Sequence, residues 1–505
     1  MTSATPSTAA GSNPLQPGND PAVTAAAEHS IPLVVDLDDT LVRTDTLYEM
    51  ALALLKQKPL KLLSIAAWFM KGRAYLKQRL AETVNLECET LPLNEEVVAM
   101  IKDASGRGRK VVIATATDQR IAEQTAARLE EPVAVYASDG TNNLKGKAKA
   151  ERLTQLFPQG FDYAGDSRAD LPVWQAARNA IVVNASKSTL RRAKATANVT
   201  DVLPRPKPIA RALVKSMRPH QWMKNVLIFV PAVLSGRIFD PAAWPALVLA
   251  FLALGLVASA TYIVNDAWDI RDDRLHWSKR KRPLASGDLP LGVGIAMVPV
   301  GLVAGFALAF AAGLTTAMAV GIYLVLTLTY SFYLKRIIIH DALALASLFT
   351  LRLAVGTVAV HAQPSPWLFV FSMFFFLSLA LAKRHTEIAR VLARGGKVIN
   401  GRGYRPEDLP LVLSAGISSG IAAVVIMVLY ISSDAFRLSF KGDGEWLWGF
   451  PPLIFIIVGR IWSVCQRDEL DDDPVVFAVK DHQCQAALAA AGICFLFAWF
   501  GFPFL

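Results

Sequence analysis

Apolar residues are spread along this chain in two different ways. As far as residue 203 they come in short groups that end on polar side chains; from Val226 onward they form long runs. Short apolar groups with polar ends predict buried strands. Ile31–Val35, Val111–Ala114, Tyr163–Gly165 and Ala180–Val183 fit that description. The stretches between them carry helical patterns, above all 46–100, where Lys56, Lys58, Lys61 and Lys71 interrupt apolar faces. Strands alternating with helices predict an α/β domain on a mainly parallel sheet.

The long runs predict a different solvent. Nine of them, near 222–238, 243–264, 290–311, 314–334, 338–360, 366–382, 410–431, 446–465 and 485–505, approach the roughly 20 residues that cross a bilayer as a helix. Lys and Arg accumulate in cytoplasmic loops, so the flanks test this reading. Arg271, Arg274, Lys279, Arg280, Lys281 and Arg282 follow the second run, and Lys335 and Arg336 the fourth. Lys383, Arg384, Arg390, Arg394, Lys397, Arg402 and Arg405 follow the sixth, whereas 312–313 and 361–365 carry none. This alternation predicts a multi-pass protein of a bacterial-type inner (cytoplasmic) membrane. Its N-terminal domain is cytoplasmic and its C-terminus lies on the exported side.

The net charge of +10 changes little, because most cations sit beside apolar runs. No nucleic-acid-binding motif accompanies them, so nucleic acid is not an expected partner. Cys88, Cys465, Cys484 and Cys494 show no CxxC spacing, which argues against a disulfide framework or zinc site. Residues 1–30, rich in Ala, Ser, Thr, Pro and Gly, read as a disordered tail rather than a signal peptide. The expected order is this tail, an α/β domain over 31–203 with a helical insert at about 46–105, a basic linker at 204–221, and a membrane domain over 222–505.

Two groups of residues carry chemistry. In the first, Asp36-Leu-Asp38-Asp-Thr40 places two carboxylates two residues apart at a strand end. Such a pair suits phosphoryl transfer, one carboxylate attacking phosphorus while the other exchanges protons with the leaving alcohol and water. An acidic turn after a strand is the plain alternative. Thr115 ends the second apolar group, where a hydroxyl donates to phosphate; Lys145, Lys147 and Lys149 offer a cation; Gly165-Asp166-Ser-Arg-Ala-Asp170 adds carboxylates suited to Mg²⁺.

In order and spacing this set resembles the haloacid dehalogenase superfamily over about 31–203, with all four of its motifs. The resemblance implies a Rossmann-like α/β phosphatase with a helical cap formed by the insert. It makes Asp36 the nucleophile and Asp38 the general acid/base. Thr115 and a lysine hold the phosphoryl group, and Asp166 and Asp170 complete a Mg²⁺ site shared with Asp36 and Asp38. Lys149, in Gly146-x-x-Lys149, fits the pattern best, with Lys145 as the alternative.

The second group is Asn265-Asp266-Ala-Trp-Asp269-Ile-Arg-Asp272-Asp273 at the end of the second run. On a helix Asp266, Asp269 and Asp273 share a face, and stacked like charges at a membrane boundary call for a cation. Mg²⁺-bound diphosphate supplies one. The plain alternative is a hydrophilic loop start. Lys279-Arg-Lys-Arg282-Pro-Leu-Ala-Ser-Gly287 follows, with Lys281 and Arg282 as candidate phosphate ligands.

This pattern and the long runs resemble the UbiA superfamily over 215–505. That implies an all-α polytopic domain of about nine transmembrane helices that transfers a group from a diphosphate donor using Mg²⁺. The aromatic prenyltransferase branch carries a second Asp-x-x-x-Asp motif. Here the matching region, which opens at Tyr330, keeps Asp341 and has Leu345 in the second place. Other segments resemble polyprenyl-phosphate phosphoribosyltransferases: Arg218-Pro-His-Gln-Trp-Met-Lys224-Asn225, Asp273-Arg274-Leu-His276, Leu351-Arg352 and Lys383-Arg384-His-Thr-Glu387.

By that resemblance the transferase aspartates are Asp266, Asp269 and Asp273, all of them metal ligands. Lys224, Asn265, Arg274, Lys281, Arg282, Tyr330, Lys335, Asp341, Arg352, Lys383 and Arg384 line the substrate site. The expected reaction moves 5-phosphoribose from phosphoribosyl diphosphate to polyprenyl phosphate, and the first domain then removes the 5-phosphate for a cell-envelope glycan precursor such as arabinan. The competing expectations are an aromatic, quinone-type prenyltransferase, and a scaffold or transporter with a vestigial phosphatase domain. The expected partners are the lipid membrane and these two substrates, with room for a homo-oligomer.

Overall fold

The computed structural model describes residues 31–139, 143–393, 395, 402–433, 444–470 and 473–501; the expected tail over 1–30 lies outside them. The chain divides into two compact units, Met1–Ile209 with Ser286–Gly292, and Ala210–Ala285 with Val293–Leu505.

The first unit is organised by a parallel sheet of six strands in the order β3-β2-β1-β4-β5-β6. These are β1 (Leu33–Val35), β2 (Val111–Asp118), β3 (Val133–Ser138), β4 (Asp162–Gly165), β5 (Asn179–Val183) and β6 (Val199–Leu203). All four apolar groups expected to be strands are strands. The register sets Val34 of β1 beside Val112 of β2 and Tyr163 of β4. Strand alternation then sorts the apolar side chains onto two faces. Leu33, Val35 and Ile113 pack with Met50, Leu54 and Leu80 of the insert. Val34, Val112 and Ala114 pack with Leu153, Phe161 and Trp174. Chain order reverses at β1, and such a switch point opens a crevice beyond the carboxyl ends of the strands.

Between β1 and β2 the insert folds as helices Thr46–Gln57, Ser64–Met70, Arg73–Thr83 and Glu95–Gly106, with a 3₁₀ turn at Pro59–Leu63. The Asp45 side chain accepts from the Leu47 N–H and starts the first of them. Beyond β6, within the segment expected as a basic linker, Ile209–Met217 is helical.

The second unit is all α. Among the described residues, eight helices are long and apolar enough to cross a membrane, from Pro241–Trp268 to His482–Phe500. The expected run over 222–238 is the one that differs: it folds as a 3₁₀ segment, Pro219–Phe229, and a short helix, Val230–Leu234. Pro219 and Pro231 each start a new turn there, since neither donates a backbone hydrogen bond. Two glycines of neighbouring helices admit the segment. A Cβ on Gly356 would lie 2.0 Å from the Ile228 carbonyl oxygen, and one on Gly255 would lie 2.8 Å from the Trp222 ring. The odd count behind an exported C-terminus rested on this segment being a full span.

Candidate active sites

In the first unit β1 ends at Val35 and delivers Asp36, buried, with its Oδ1 accepting from the Leu37 N–H at 2.8 Å. The helix Lys147–Leu156 carries Lys149 inward to 2 % exposure, while Lys145 stays at the surface. Lys149 Nζ lies 3.0 Å from Asp36 Oδ1 and 3.8 Å from Asp170 Oδ1, and it donates to the Tyr163 hydroxyl at 2.9 Å. That hydroxyl donates in turn to Asp170 Oδ1 at 2.8 Å. Asp170 Oδ2 accepts from the Ser167 N–H and hydroxyl, both at 3.0 Å. Gly165 is required by this packing: a Cβ there would sit 2.7 Å from the Tyr163 ring and 3.0 Å from the Asp170 carboxyl.

Ligand oxygens of Asp36, Asp166 and Asp170 all lie within 4.8 Å of one another, and no other group of three acidic, His or Cys ligands among the described residues does so. One lysine faces these three carboxylates. Burial raises the Asp36 carboxyl to about 6 despite Lys149, and burial with the charges of Asp170 and Asp36 lifts Asp166 well above the carboxylate range. An all-oxygen, over-acidic cluster of this size fits a hard divalent cation such as Mg²⁺.

Asp38 Oδ1 accepts from the Thr46 N–H at 2.9 Å and Asp38 Oδ2 from the Thr117 hydroxyl at 2.7 Å, with Lys77 Nζ 3.8 Å away. The carboxylate belongs to this hydrogen-bonded group and lies outside the three-carboxylate cluster, so its expected role at the metal stands as a proposal. Thr115 is buried beside it, its Oγ1 accepting from the Thr117 N–H at 3.1 Å, which leaves the hydroxyl proton to donate. Thr117, Tyr163 and Lys77 were missed. Lys77 lies on the insert helix Arg73–Thr83, and only tertiary structure brings it to Asp38.

In the second unit the helix Trp244–Trp268 and the turn Ile270–Leu275 carry Asn265 and the three aspartates. Asp266 and Asp273 are buried; Asn265 and Asp269 are half-buried. Each aspartate meets a cation of the protein. Arg218 and Arg282 converge on Asp266 Oδ1, Arg282 Nη1 lies 2.6 Å from Asp273 Oδ2, and Lys335 Nζ lies 2.6 Å from Asp269 Oδ2. Burial still raises the Asp273 carboxyl to about 6. As placed, the three carboxylates do not form one metal cluster. The expected joint ligation of Mg²⁺ by Asp266, Asp269 and Asp273 stands as a proposal, and in this structure the three carboxylates pair with Arg218, Arg282 and Lys335.

The remaining expected substrate residues separate into two sets. Lys224 Nζ pairs with Asp473 at 2.6 Å, and Arg274 Nε donates to the Ala285 carbonyl at 3.3 Å. Lys383 and Tyr330 are half-buried, whereas Lys281 is exposed. Arg352, Arg384 and Asp341 are buried and held by protein. Arg352 donates to Asn225 Oδ1, the Leu348 carbonyl and the Tyr323 hydroxyl. Asp341 receives the Tyr404 hydroxyl and lies 3.3 Å from both Arg384 Nε and Arg402 Nη1. Arg384 also pairs with Glu387. In this structure all three are paired with protein groups, and their expected contact with substrate stands as a proposal. Arg218, Arg402 and Tyr404 complete the two networks and were not expected as site residues.

The UbiA prenyltransferase family pattern matches residues 226–480, and the haloacid dehalogenase-like hydrolase pattern matches 33–175. The protein y4nM of Sinorhizobium fredii is 40% identical over 457 residues, 90% of this chain and 88% of that protein. Decaprenyl-phosphate phosphoribosyltransferase of Corynebacterium glutamicum is 34% identical over 230 residues, 45% of this chain and 68% of that protein. A solved UbiA homolog from Archaeoglobus fulgidus bound to DMAPP and Mg²⁺ aligns at 13% identity with a TM-score of 0.43, covering 58% of this chain and 100% of that one. The chain belongs to the UbiA prenyltransferase family, as a multi-pass membrane enzyme with a haloacid dehalogenase-like domain at its N-terminal end.

Proposed function

We propose that the membrane unit transfers 5-phosphoribose from phosphoribosyl diphosphate to a polyprenyl phosphate, and that the N-terminal unit removes the 5-phosphate to leave polyprenyl-phosphoryl ribose. The observation that carries this reading is the gathering of Arg218, Arg282 and Lys335 on the three aspartates. A donor with a diphosphate and a 5-phosphate, meeting an acceptor that is itself a phosphate, needs such cations. Similarity to decaprenyl-phosphate phosphoribosyltransferases at 33–34% identity supports transfer of a phosphoribosyl group to a polyprenyl phosphate.

In the membrane unit Arg282, Arg218 and Lys335 exchange their carboxylates for phosphate oxygens of the donor. They stabilise charge as the bond between ribose C1 and diphosphate breaks and the acceptor phosphate oxygen bonds to C1. In the N-terminal unit Asp36 attacks the 5-phosphate, and Asp38, held by Thr46 and Thr117, gives its proton to the departing ribose oxygen. Asp38 then takes a proton from the water that cleaves the aspartyl phosphate. Lys149 and Thr115 hold the phosphoryl oxygens. Mg²⁺ bound by Asp36, Asp166 and Asp170 would neutralise phosphate charge there.

The test is donor choice. The full chain in lipid nanodiscs receives polyprenyl phosphate with either labelled phosphoribosyl diphosphate or a labelled prenyl diphosphate and an aromatic acid. Label entering lipid from phosphoribosyl diphosphate supports the reading; consumption of prenyl diphosphate alone replaces it with aromatic prenyl transfer.

A further inference from the structure

The insert between β1 and β2 has a surface that the proposed chemistry does not use. At the turn from Pro59–Leu63 into Ser64–Met70, Leu60 is 92% exposed, Leu63 87% and Met70 80%, and Phe69 is more than half exposed. A soluble domain rarely presents so many large apolar side chains at one projecting turn. Charge separates this surface from an ordinary protein interface. From Met50 to Ala81 the sequence holds seven Lys and Arg and no Asp or Glu. Of these, Lys56, Lys58, Lys61, Lys71 and Arg73 are exposed and flank the apolar tip on both sides in sequence.

Exposed Leu, Phe and Met bordered by cations alone is the composition of an interfacial membrane anchor. Apolar side chains enter the headgroup boundary, while lysines meet lipid phosphates. At 12 residues Pro59–Met70 is too short to span a bilayer. The same chain is embedded in a membrane through its second unit, which begins at Ala210, so the N-terminal unit is covalently tied to a lipid bilayer.

We propose that the Pro59–Met70 tip of the insert docks on an anionic bilayer surface, Leu60, Leu63, Phe69 and Met70 entering the headgroup layer and Lys58, Lys61 and Lys71 pairing with lipid phosphates. This docking is independent of the reaction assigned to either unit. Each cation near an anionic surface strengthens binding about fivefold.

The experiment places an environment-sensitive NBD fluorophore on Leu63→Cys in the full chain, with labelling of the unaltered chain as background. Glu130→Cys, exposed on the N-terminal unit, is the control position. Nanodiscs of phosphatidylcholine alone are compared with discs containing phosphatidylglycerol, each with and without doxyl-labelled lipid. The expected result is blue-shifted emission from position 63, quenched by doxyl lipid in the anionic discs, with water-like emission from position 130. Changing Lys58, Lys61 and Lys71 to Gln weakens the docked population roughly 100-fold. Water-like, unquenched emission at 63 in both discs overturns the proposal. So does a blue shift that doxyl lipid does not quench, which means that protein covers the tip. Equal quenching in neutral and anionic discs overturns the role given to the lysines.

Discussion

Replacing Lys149 with Ala removes the cation that faces two buried carboxylates, Asp36 and Asp170, and the half-buried Asp166. The lysine lies 3.0 Å from Asp36 and 3.8 Å from Asp170 at 2% exposure, so water does not take its place cheaply. Deleting one partner of a buried ion pair costs about 3–5 kcal/mol, because the remaining charges stay buried and unmatched. Loss of a preorganised cation at the phosphoryl group lowers turnover by roughly 10²–10³-fold. Both effects are measured on the full chain in nanodiscs. Hydrogen exchange of β1, β2 and β4 at pH 7.5 reports local stability, and phosphate release from a phosphoribosyl lipid reports turnover. Lys145→Ala, at an exposed position, changes stability by less than about 0.5 kcal/mol and leaves phosphate release nearly intact. Equal losses in the two variants, or a larger loss in Lys145→Ala, would refute the assignment of Lys149.

Three further outcomes follow from the same geometry. Asp36 titrates near 6 in the fold against 3.8 when free, so its contribution to stability is complete below 3.8 and lost as pH rises through 6, about 3 kcal/mol in all. In EDTA, exchange protection of β1 should therefore fall between about pH 4 and pH 6.5 and level off above, and Mg²⁺ added at pH 7.5 should restore it; pH-independent protection contradicts this. Gly165→Ala forces a methyl to 2.7 Å from the Tyr163 ring and should cost about 1–3 kcal/mol in the N-terminal unit while leaving transferase activity unchanged. Arg352→Met should lower the thermal stability of the membrane unit by several degrees while leaving KM for the donor within about twofold, since Arg352 is bound by Asn225, Leu348 and Tyr323; a large rise in KM would place it in the substrate site.

The parts of this architecture that follow local rules were legible in sequence. β1, β2, β4 and β5 are buried apolar groups bounded by polar residues, and each was expected. β3 and β6 lie at the two edges of the sheet, where residues such as Thr200 and Asp201 face water and blur the pattern. The run over 222–238 has the hydropathy of a span, but Pro219 and Pro231 restart its turns, a signal present in the sequence and outweighed by composition. Site residues divide along the same line. Asp36, Lys149, Asp166 and Asp170 stand at strand ends and one helix start, so spacing located them. Lys77, Thr117, Arg218 and Arg402 act at a distance in sequence from their partners, and the Asn225 and Tyr323 partners of Arg352 are likewise brought to it only by the fold.

The most direct test of the coupled reaction is mass spectrometry of lipid extracts from nanodiscs holding the wild-type chain or Asp36→Asn, each given phosphoribosyl diphosphate, polyprenyl phosphate and Mg²⁺. The account predicts ribosyl lipid without a 5-phosphate from wild type, and accumulation of the 5-phosphoribosyl lipid in the variant. Dephosphorylated ribosyl lipid from Asp36→Asn at the wild-type rate would contradict it.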